Sequence, residues 1–387
     1  MATTTSIPHP RRIMCVVAAR PNLIKMAPIL RALRQIQPPL ELPLVHTGQH
    51  YDDNMDAAFF ETLDIAQPDF QLDVGATSNA VQTAEILRRF DPVLDQSQPE
   101  AVLVVGDVNA TLACALAAAK RNIPVIHVEA GLRSFDRNMP EEVNRILTDQ
   151  ISELLFTSEP SGMTNLTHEG IPSYRVHFVG NVMIDTLVQQ LPNATPVDAL
   201  LRRFNLAGFI DGGAPYVVLT LHRPPNVDDP LRLRALMETM VRLSANVPIL
   251  FPVHPRTRAM LTHFGLNKLL DAPRVACLPP LGYLDMLGLM KTASLVLTDS
   301  GGIQEETTAL NVPCLTLRDN TERPITVSQG SNAIAGRDPA VILALCRDIL
   351  SFGGKAGRLP QNWDGRAAER MAAVISAWLT EREERRA

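Results

Sequence analysis

The feature that most restricts the fold is a series of short apolar runs that do not alternate with polar residues. Arg12–Ala18 (RIMCVVA), Leu42–His46, Ala101–Val105 (AVLVV), Val125–Val128 and Leu154–Thr157 are separated by helical patterns, among them Pro28–Gln35 and the alanine-rich Thr111–Lys120. A strand that is apolar at every position has both faces buried, as in a parallel sheet covered by helices on each side. The repetition predicts a doubly wound α/β half. It restarts with Tyr216–Thr220, Val247–Val253, Val275–Leu278, Leu295–Thr298 and Pro313–Leu317, after polar, proline-containing sequence between Gly180 and Ala214. A last stretch, Gly365–Leu379, reads as an amphipathic helix with a charged, solvated end. The expected organisation is a Rossmann-like domain over residues 1–180, a second over 181–364 and a helix over 365–387. A length of 387 residues suits two such domains.

Composition narrows the function. A net charge of −5 argues against a general nucleic-acid binder, which carries a basic face or tail. No run approaches the ~20 apolar residues that span a bilayer, so no membrane association is expected. The first residues, MATTTSIPHPRRIMCVVAAR, lack the apolar core of a secretory signal, which predicts a cytoplasmic protein. The five cysteines, Cys15, Cys114, Cys277, Cys314 and Cys346, are an odd number and form no C-x-x-C pair, against a disulfide scaffold or a zinc ribbon. Cys114 and Cys314 read as core, and Met139 as packing. No G-x-x-x-x-G-K-[ST] motif is present, which disfavours an ATPase.

In doubly wound sheets, ligands meet the loops that follow the C-terminal ends of the strands. After the strand Leu295–Thr298, the sequence Asp299-Ser300-Gly301-Gly302 opens a helix, whose free N–H groups form an anion site suited to a diphosphate. The plainer alternative is a Ser N-cap with glycines for tight packing. Glu306, one turn into that helix, is placed to accept the hydroxyls of a ribose. Asp107, Glu129 and the pair Glu141-Glu142 follow strands of the first half, and clustered carboxylates raise one another's pKa toward the range of acid–base catalysis. Taken singly, Asp107 caps the helix from Thr111 and Glu129 pairs with Arg133 or Arg145. His127, His222 and His254 carry ligating atoms but show no H-x-x-x-H or H-E-x-x-H spacing, so no metal is expected. His222 is a candidate for phosphate binding or catalysis, with a satisfied loop histidine as the alternative.

These residues belong to longer motifs: Arg20-Pro-x-x-x-Lys25, HTGQH at His46–His50, GDVNAT at Gly106–Thr111 and HVEAGLRSFDRNMPEEVNR at His127–Arg145. VGNVMIDTL at Val179–Leu187, TLHRP at Thr220–Pro224, TDSGGIQEE at Thr298–Glu306 and RDNTERP at Arg318–Pro324 follow in order. Together they resemble the non-hydrolysing UDP-N-acetylglucosamine 2-epimerases, over about Arg12 to Gly336. The resemblance implies a GT-B-like fold of two Rossmann-type domains, with the C-terminal helix packing back on the first. It implies a homodimer that interconverts UDP-GlcNAc and UDP-ManNAc without metal or nicotinamide, in the service of polysaccharide biosynthesis. Asp107, Glu129 and Glu141 fall at the family's catalytic carboxylates. Arg20, Lys25, His222, Ser300, Gly301, Gly302, Glu306 and Arg323 fall at its UDP-sugar contacts. Ala19 and Asn22 replace the commoner Thr and Glu beside Arg20-Pro21. Pro224-Pro225-Asn226 also departs from the pattern, as does His50-Tyr51-Asp52, near which bacterial members bind a second, activating UDP-GlcNAc. A 2,3-diacetamido uronate is an alternative substrate.

The C2 proton of an N-acetylhexosamine has no adjacent carbonyl to make it acidic. Inversion without a redox cofactor therefore calls for elimination of UDP to a glycal and re-addition with protonation from the other face. That route needs a diphosphate clamp and proton-transfer groups on two faces. The rival readings are a hydrolysing epimerase that releases UDP and ManNAc, a GT-B glycosyltransferase, and a non-catalytic UDP-sugar sensor.

Overall fold

The computed structural model describes residues 11–48, 60–75, 77–210 and 212–386. The chain divides into two compact units. One is built from residues 1–186 together with 364–387, the other from residues 187–363.

The first unit is a seven-stranded, all-parallel sheet of β1 (Ile13–Val17), β2 (Leu44–Gly48), β3 (Phe70–Val74), β4 (Ala101–Val105), β5 (Val125–Val128), β6 (Leu154–Thr157) and β7 (Val176–Phe178). Its strand order is β3-β2-β1-β4-β5-β6-β7, so the chain reverses direction of progress after β3 and the switch lies between β1 and β4. The alanine-rich segment folds as the helix Asn109–Lys120. Its small residues Ala113, Cys114 and Ala117 are buried with Met14, Val16, Val102 and Val104 of the sheet and with Phe90 of the helix Asn79–Ser97. Small side chains let the helix approach the strands closely, and Cys114 is core as read. The helix Ala367–Arg386 contacts the helix Arg20–Leu33 and buries Ala368, Met371, Ile375 and Leu379. Asp185 accepts hydrogen bonds from the N–H groups of Ala367 (3.0 Å) and Ala368 (2.7 Å), which satisfies two donors at that helix's start.

The second unit is a six-stranded parallel sheet of β8 (Val217–Thr220), β9 (Ile249–Pro252), β10 (Val275–Leu278), β11 (Leu295–Thr298), β12 (Cys314–Thr316) and β13 (Asn332–Ile334), in the order β10-β9-β8-β11-β12-β13. Its switch lies between β8 and β11. Successive residues of a strand serve opposite faces. Val217, Leu219, Ile249, Phe251, Leu295 and Leu297 join one buried cluster, whereas Val218, Leu250 and Val296 join another. Both faces are thus covered, as the uninterrupted apolar runs require.

The polar, proline-containing segment between Gly180 and Ala214 contains two α-helices, Val182–Gln190 and Val197–Arg203. The last helix continues through the charged tail to Arg386.

Candidate active site

In the first unit, the relevant residues emerge from the C-terminal ends of β4 and β5 and from two helices. Glu129 directly follows β5, is buried, and has a left-handed backbone (φ +73°), a strain that persists only where the surroundings enforce it. Its N–H is donated to the Phe156 carbonyl at 3.0 Å. Lys25, on the helix Arg20–Leu33, forms a buried ion pair with the Glu129 carboxylate. Gly106, directly after β4, has φ +76°, and a Cβ there would lie 3.4 Å from Glu129 Oε2 and 3.7 Å from Lys25 Nζ. Asn22 donates to the Val105 carbonyl at 2.9 Å and accepts from the Ala19 N–H at 3.2 Å, so this departure from the family pattern both closes the helix start and ties it to β4.

Asp107 accepts from Arg145 Nη2 at 2.6 Å, and Arg145 also pairs with Glu142. Glu142 is 1% exposed and takes the N–H groups of Ser134 and Phe135, each at 2.9 Å. Its neighbour Glu141, in the first turn of the helix Pro140–Ile151, is half-buried and forms no side-chain hydrogen bond or ion pair among the described residues. Of the two consecutive glutamates, Glu142 fastens the preceding loop and Glu141 is available for chemistry. The simple local pairings fail: Glu129 pairs with Lys25 instead of Arg133 or Arg145. Asp107 does not cap the helix that begins at Asn109, whose N-cap is Val108. Arg20 opens the helix Arg20–Leu33, while its side chain lies outside the described residues, as do Gln49, His50, Tyr51 and Asp52.

In the second unit, the residues gather around the start of the helix Gly301–Leu310. Ser300 occupies the N-cap position but makes no cap bond, so the hydroxyl is not spent on the helix as the plainer alternative required. Asp299 is fully buried and accepts from the N–H groups of His222 (3.1 Å) and Arg223 (3.0 Å), from Asn226 Nδ2 (3.1 Å) and from His222 Nδ1 (3.0 Å). Burial opposes its ionisation, but His222 and these donors outweigh it and hold the Asp299 carboxyl below the ordinary range. With Nδ1 turned to Asp299, His222 presents Nε2 outward; the ring is 5.5 Å from that of His254. His254 is held low by burial and then by its neighbour His222.

Three arginines meet a single glutamate here. Glu322, 3% exposed, receives Arg318 Nη2 at 2.8 Å and lies 3.6 Å from Arg223, and its carboxylate is 2.8 Å from where a Cβ on Gly301 would stand. Burial alone would raise its pKa, but Arg323 and then Arg318 hold it far below the usual carboxylate range. Gly301 is therefore needed for the approach of the chain's own carboxylate. Arg323 pairs with Glu305 at 2.7 Å. Arg223 Nε and Arg318 Nη1 are buried without a hydrogen-bond partner among the described residues, donors left over for an anion. Gly302 lies in the same first turn. Glu306 is buried beside the Tyr283 hydroxyl, and burial pushes its carboxyl up to about 8. Sequence reasoning passed over Asp299 as a partner, Tyr283 and Glu322. The only available signal was that Glu322 stands next to Arg323 in RDNTERP.

Residues 32–376 match the family described as UDP-N-acetylglucosamine 2-epimerase. The UDP-N-acetylglucosamine 2-epimerase of Methanococcus maripaludis is 44% identical over 342 residues, which are 88% of this chain and 92% of that protein. The chain belongs to the UDP-N-acetylglucosamine 2-epimerase family. A further relative, the UDP-2,3-diacetamido-2,3-dideoxy-D-glucuronate 2-epimerase of Pseudomonas aeruginosa, is 40% identical over the same shares of the two chains. Among solved structures, the Methanocaldococcus jannaschii UDP-GlcNAc 2-epimerase in complex with UDP-GlcNAc and UDP superposes with a TM-score of 0.85 at 39% identity, covering 95% of this chain and 99% of that one. The GT-B-like fold read from the sequence, two parallel-sheet α/β domains, is the fold of this family.

Proposed function

We propose that the protein inverts C2 of UDP-N-acetylglucosamine, reversibly, to give UDP-N-acetylmannosamine without releasing free sugar. The observation that carries this reading is the set of three carboxylates in unlike settings: Asp107 against Arg145, Glu129 against Lys25, and Glu141 with no ion pair among the described residues. A glycosyltransferase or a sensor has no use for three acidic groups beside the sugar.

The chemistry balances with no external oxidant. A carboxylate takes the C2 proton, the C1–O bond to UDP breaks with its electron pair leaving on the diphosphate, and a C1=C2 double bond forms. Re-addition of UDP at C1 with proton delivery to the opposite face of C2 gives the epimer. Asp107 and Glu129, each beside a cation, are assigned as the proton-accepting groups, and the half-buried Glu141 as the group that carries the proton back. Ser300, Gly301, Gly302, His222, Arg323 and Glu306 bind the nucleotide, with Arg20 and Lys25 as further substrate contacts; positive groups fixed around the leaving diphosphate stabilise the charge that develops there.

The 40% identical relative acting on a diacetamido uronate supports a second reading, in which the sugar carries a 3-acetamido group and a C6 carboxylate. In either case the reading includes a cytoplasmic homodimer that supplies an activated sugar to polysaccharide assembly. No helix among the described residues is long and apolar enough to cross a membrane. The test is incubation with UDP-GlcNAc, and separately with the uronate, in D2O under NMR. Deuterium at C2 of intact UDP-ManNAc supports the first reading. Free ManNAc points to the hydrolysing type, and no exchange with either sugar overturns the epimerase reading.

A further inference from the structure

His127 lies in the middle of the first sheet, registered between Val104 of β4 and Leu155 of β6, and is 0% exposed. No substrate reaches a side chain so enclosed, and the mechanism above does not use it. Both ring nitrogens are nevertheless committed. Nε2 is 2.8 Å from the Gly106 carbonyl oxygen, and Nδ1 is 2.7 Å from Asp149 Oδ1. A carbonyl only accepts, so the Nε2 hydrogen is fixed there by geometry. Nδ1 faces the Asp149 carboxylate at hydrogen-bond distance.

Asp149 is in turn immobilised. Its other oxygen accepts from Arg133 Nη2 at 2.7 Å and from the Gly131 N–H at 3.1 Å, and Arg133 is itself held by Glu169 at 2.6 and 2.7 Å. Gly131 is packed closely against the helix that carries Gly162, where a Cβ would stand 2.4 Å from the Gly162 carbonyl oxygen. The histidine is thus clamped to a rigid group on one side and holds one backbone oxygen on the other.

That oxygen matters because the Gly106 carbonyl and the Asp107 nitrogen belong to one planar peptide. Fixing the oxygen fixes the direction in which the chain enters Asp107, at a glycine whose φ of +76° leaves it free to turn otherwise. On the other side the Gly106 N–H is donated to the Val128 carbonyl at 3.0 Å, and further along Asn144 Nδ2 donates to the Asp107 carbonyl at 2.9 Å and Arg145 takes the carboxylate. We propose that His127 is a positioning residue, whose Nε2–H bond to Gly106 aims the Asp107 carboxylate, with Asp149 as the group that aims the histidine. The inference rests on the epimerase reading for its kinetic consequence and on the geometry alone for its bond.

Two substitutions separate positioning from bulk. Glutamine places its amide nitrogen near the position of Nε2, whereas asparagine reaches only as far as Nδ1. His127→Asn is expected to lower kcat about 10²-fold, the scale of an ~1 Å misplacement, with KM and the calorimetric affinity for UDP unchanged. His127→Gln is expected to recover to within about tenfold of the native rate. Equal kcat in both variants, or a loss confined to KM, overturns the proposal. Should His127→Asn fail to fold, Asp149→Asn decides: the amide still engages Nδ1 and the ring still donates to Gly106, so turnover should fall by less than about tenfold, and a loss of about 10² with the Nε2–H resonance described next still present refutes the role of the bond. A readout independent of turnover is the His127 Nε2–H resonance in protein labelled with 15N-histidine. It should be present, slow to exchange with solvent, and lost in His127→Asn; its absence from the native protein overturns the bond itself. Native protein that shows this resonance yet exchanges no C2 proton defeats the epimerase reading and not the geometry.

Discussion

The two units solve the same electrostatic problem with opposite signs. In the first, the groups proposed for chemistry are anions, and two of them are braced by cations: the buried Glu129 by Lys25 and the half-buried Asp107 by Arg145. In the second, the groups proposed to meet a ligand are cations, braced by anions: Arg318 and Arg223 by Glu322, Arg323 by Glu305, His222 by Asp299. A charge kept ready in a low-dielectric setting needs a counter-charge while no ligand is bound. The difference lies in what the counter-charge must do next. A proton-transfer group keeps its partner throughout the cycle, whereas an anion-binding arginine must share itself between its glutamate and the ligand.

The most damaging way to break this contrast is to neutralise the first unit's anions. Asp107→Asn, Glu129→Gln and Glu141→Gln should each lower epimerisation by roughly 10²–10⁴-fold while UDP affinity by calorimetry stays near native. Near-normal turnover in all three would return these carboxylates to a structural role. Next comes the brace of the second unit. Glu322→Gln strands arginines that are buried, a loss of the order of 3–5 kcal/mol when one partner of a buried pair is removed. Thermal unfolding should show the drop, and saturating UDP should raise the melting temperature more in the variant than in the native protein. An equal UDP shift in both would mean that the diphosphate does not use these arginines.

Smaller effects sharpen the picture. Glu306 holds a proton up to about pH 8 because of its burial. A carboxyl raised on folding costs stability as pH rises from its unfolded value near 4.5 to that folded value, and levels off above it. Glu306→Gln should flatten this slope in a melting-temperature profile between pH 5 and 9, and weaken UDP about tenfold, the worth of roughly one hydrogen bond. A slope that survives the substitution assigns it elsewhere. Least of all, Ser300→Ala should leave stability within about 0.5 kcal/mol, since no cap is lost, where removal of a working cap costs about 1. Its UDP affinity should still fall, and a change in stability alone would restore the capping role.

How much of this was readable follows the same physical line. Ala101–Val105, Val125–Val128, Leu154–Thr157, Val275–Leu278 and Leu295–Thr298 match β4, β5, β6, β10 and β11 residue for residue. Four of these are interior strands whose every residue is buried. The strands that escaped notice, β3, β7 and β13, all lie at sheet edges. There one side meets solvent, so β3 reads FQLDV with alternating burial and β7 reads VHF with every residue half-buried. These three edge strands lack a continuous apolar run, whereas β10, also at an edge, keeps one in VACL and was legible. The site residues were legible through motifs, but their partnerships were not. Lys25 and Glu129 are 104 positions apart, and nothing in either segment announces the other. The nearby arginines, which local spacing favoured for Glu129, are used instead to hold Asp107, Glu142 and Asp149.

The cap on the last helix has a consequence for how the protein is made. Asp185 is buried enough for its carboxyl to rise to about 6, and the two N–H groups it accepts, from Ala367 and Ala368, lie 182 and 183 positions further along the chain. The whole of residues 187–363 is translated in between. A nascent chain emerging from the ribosome therefore carries the first unit unfinished, with the helix Arg20–Leu33 lacking its cover, until the helix Ala367–Arg386 has been synthesised. The second unit, encoded as one uninterrupted stretch, is free to fold first although it is synthesised later, which inverts the usual N-terminal-first order of assembly.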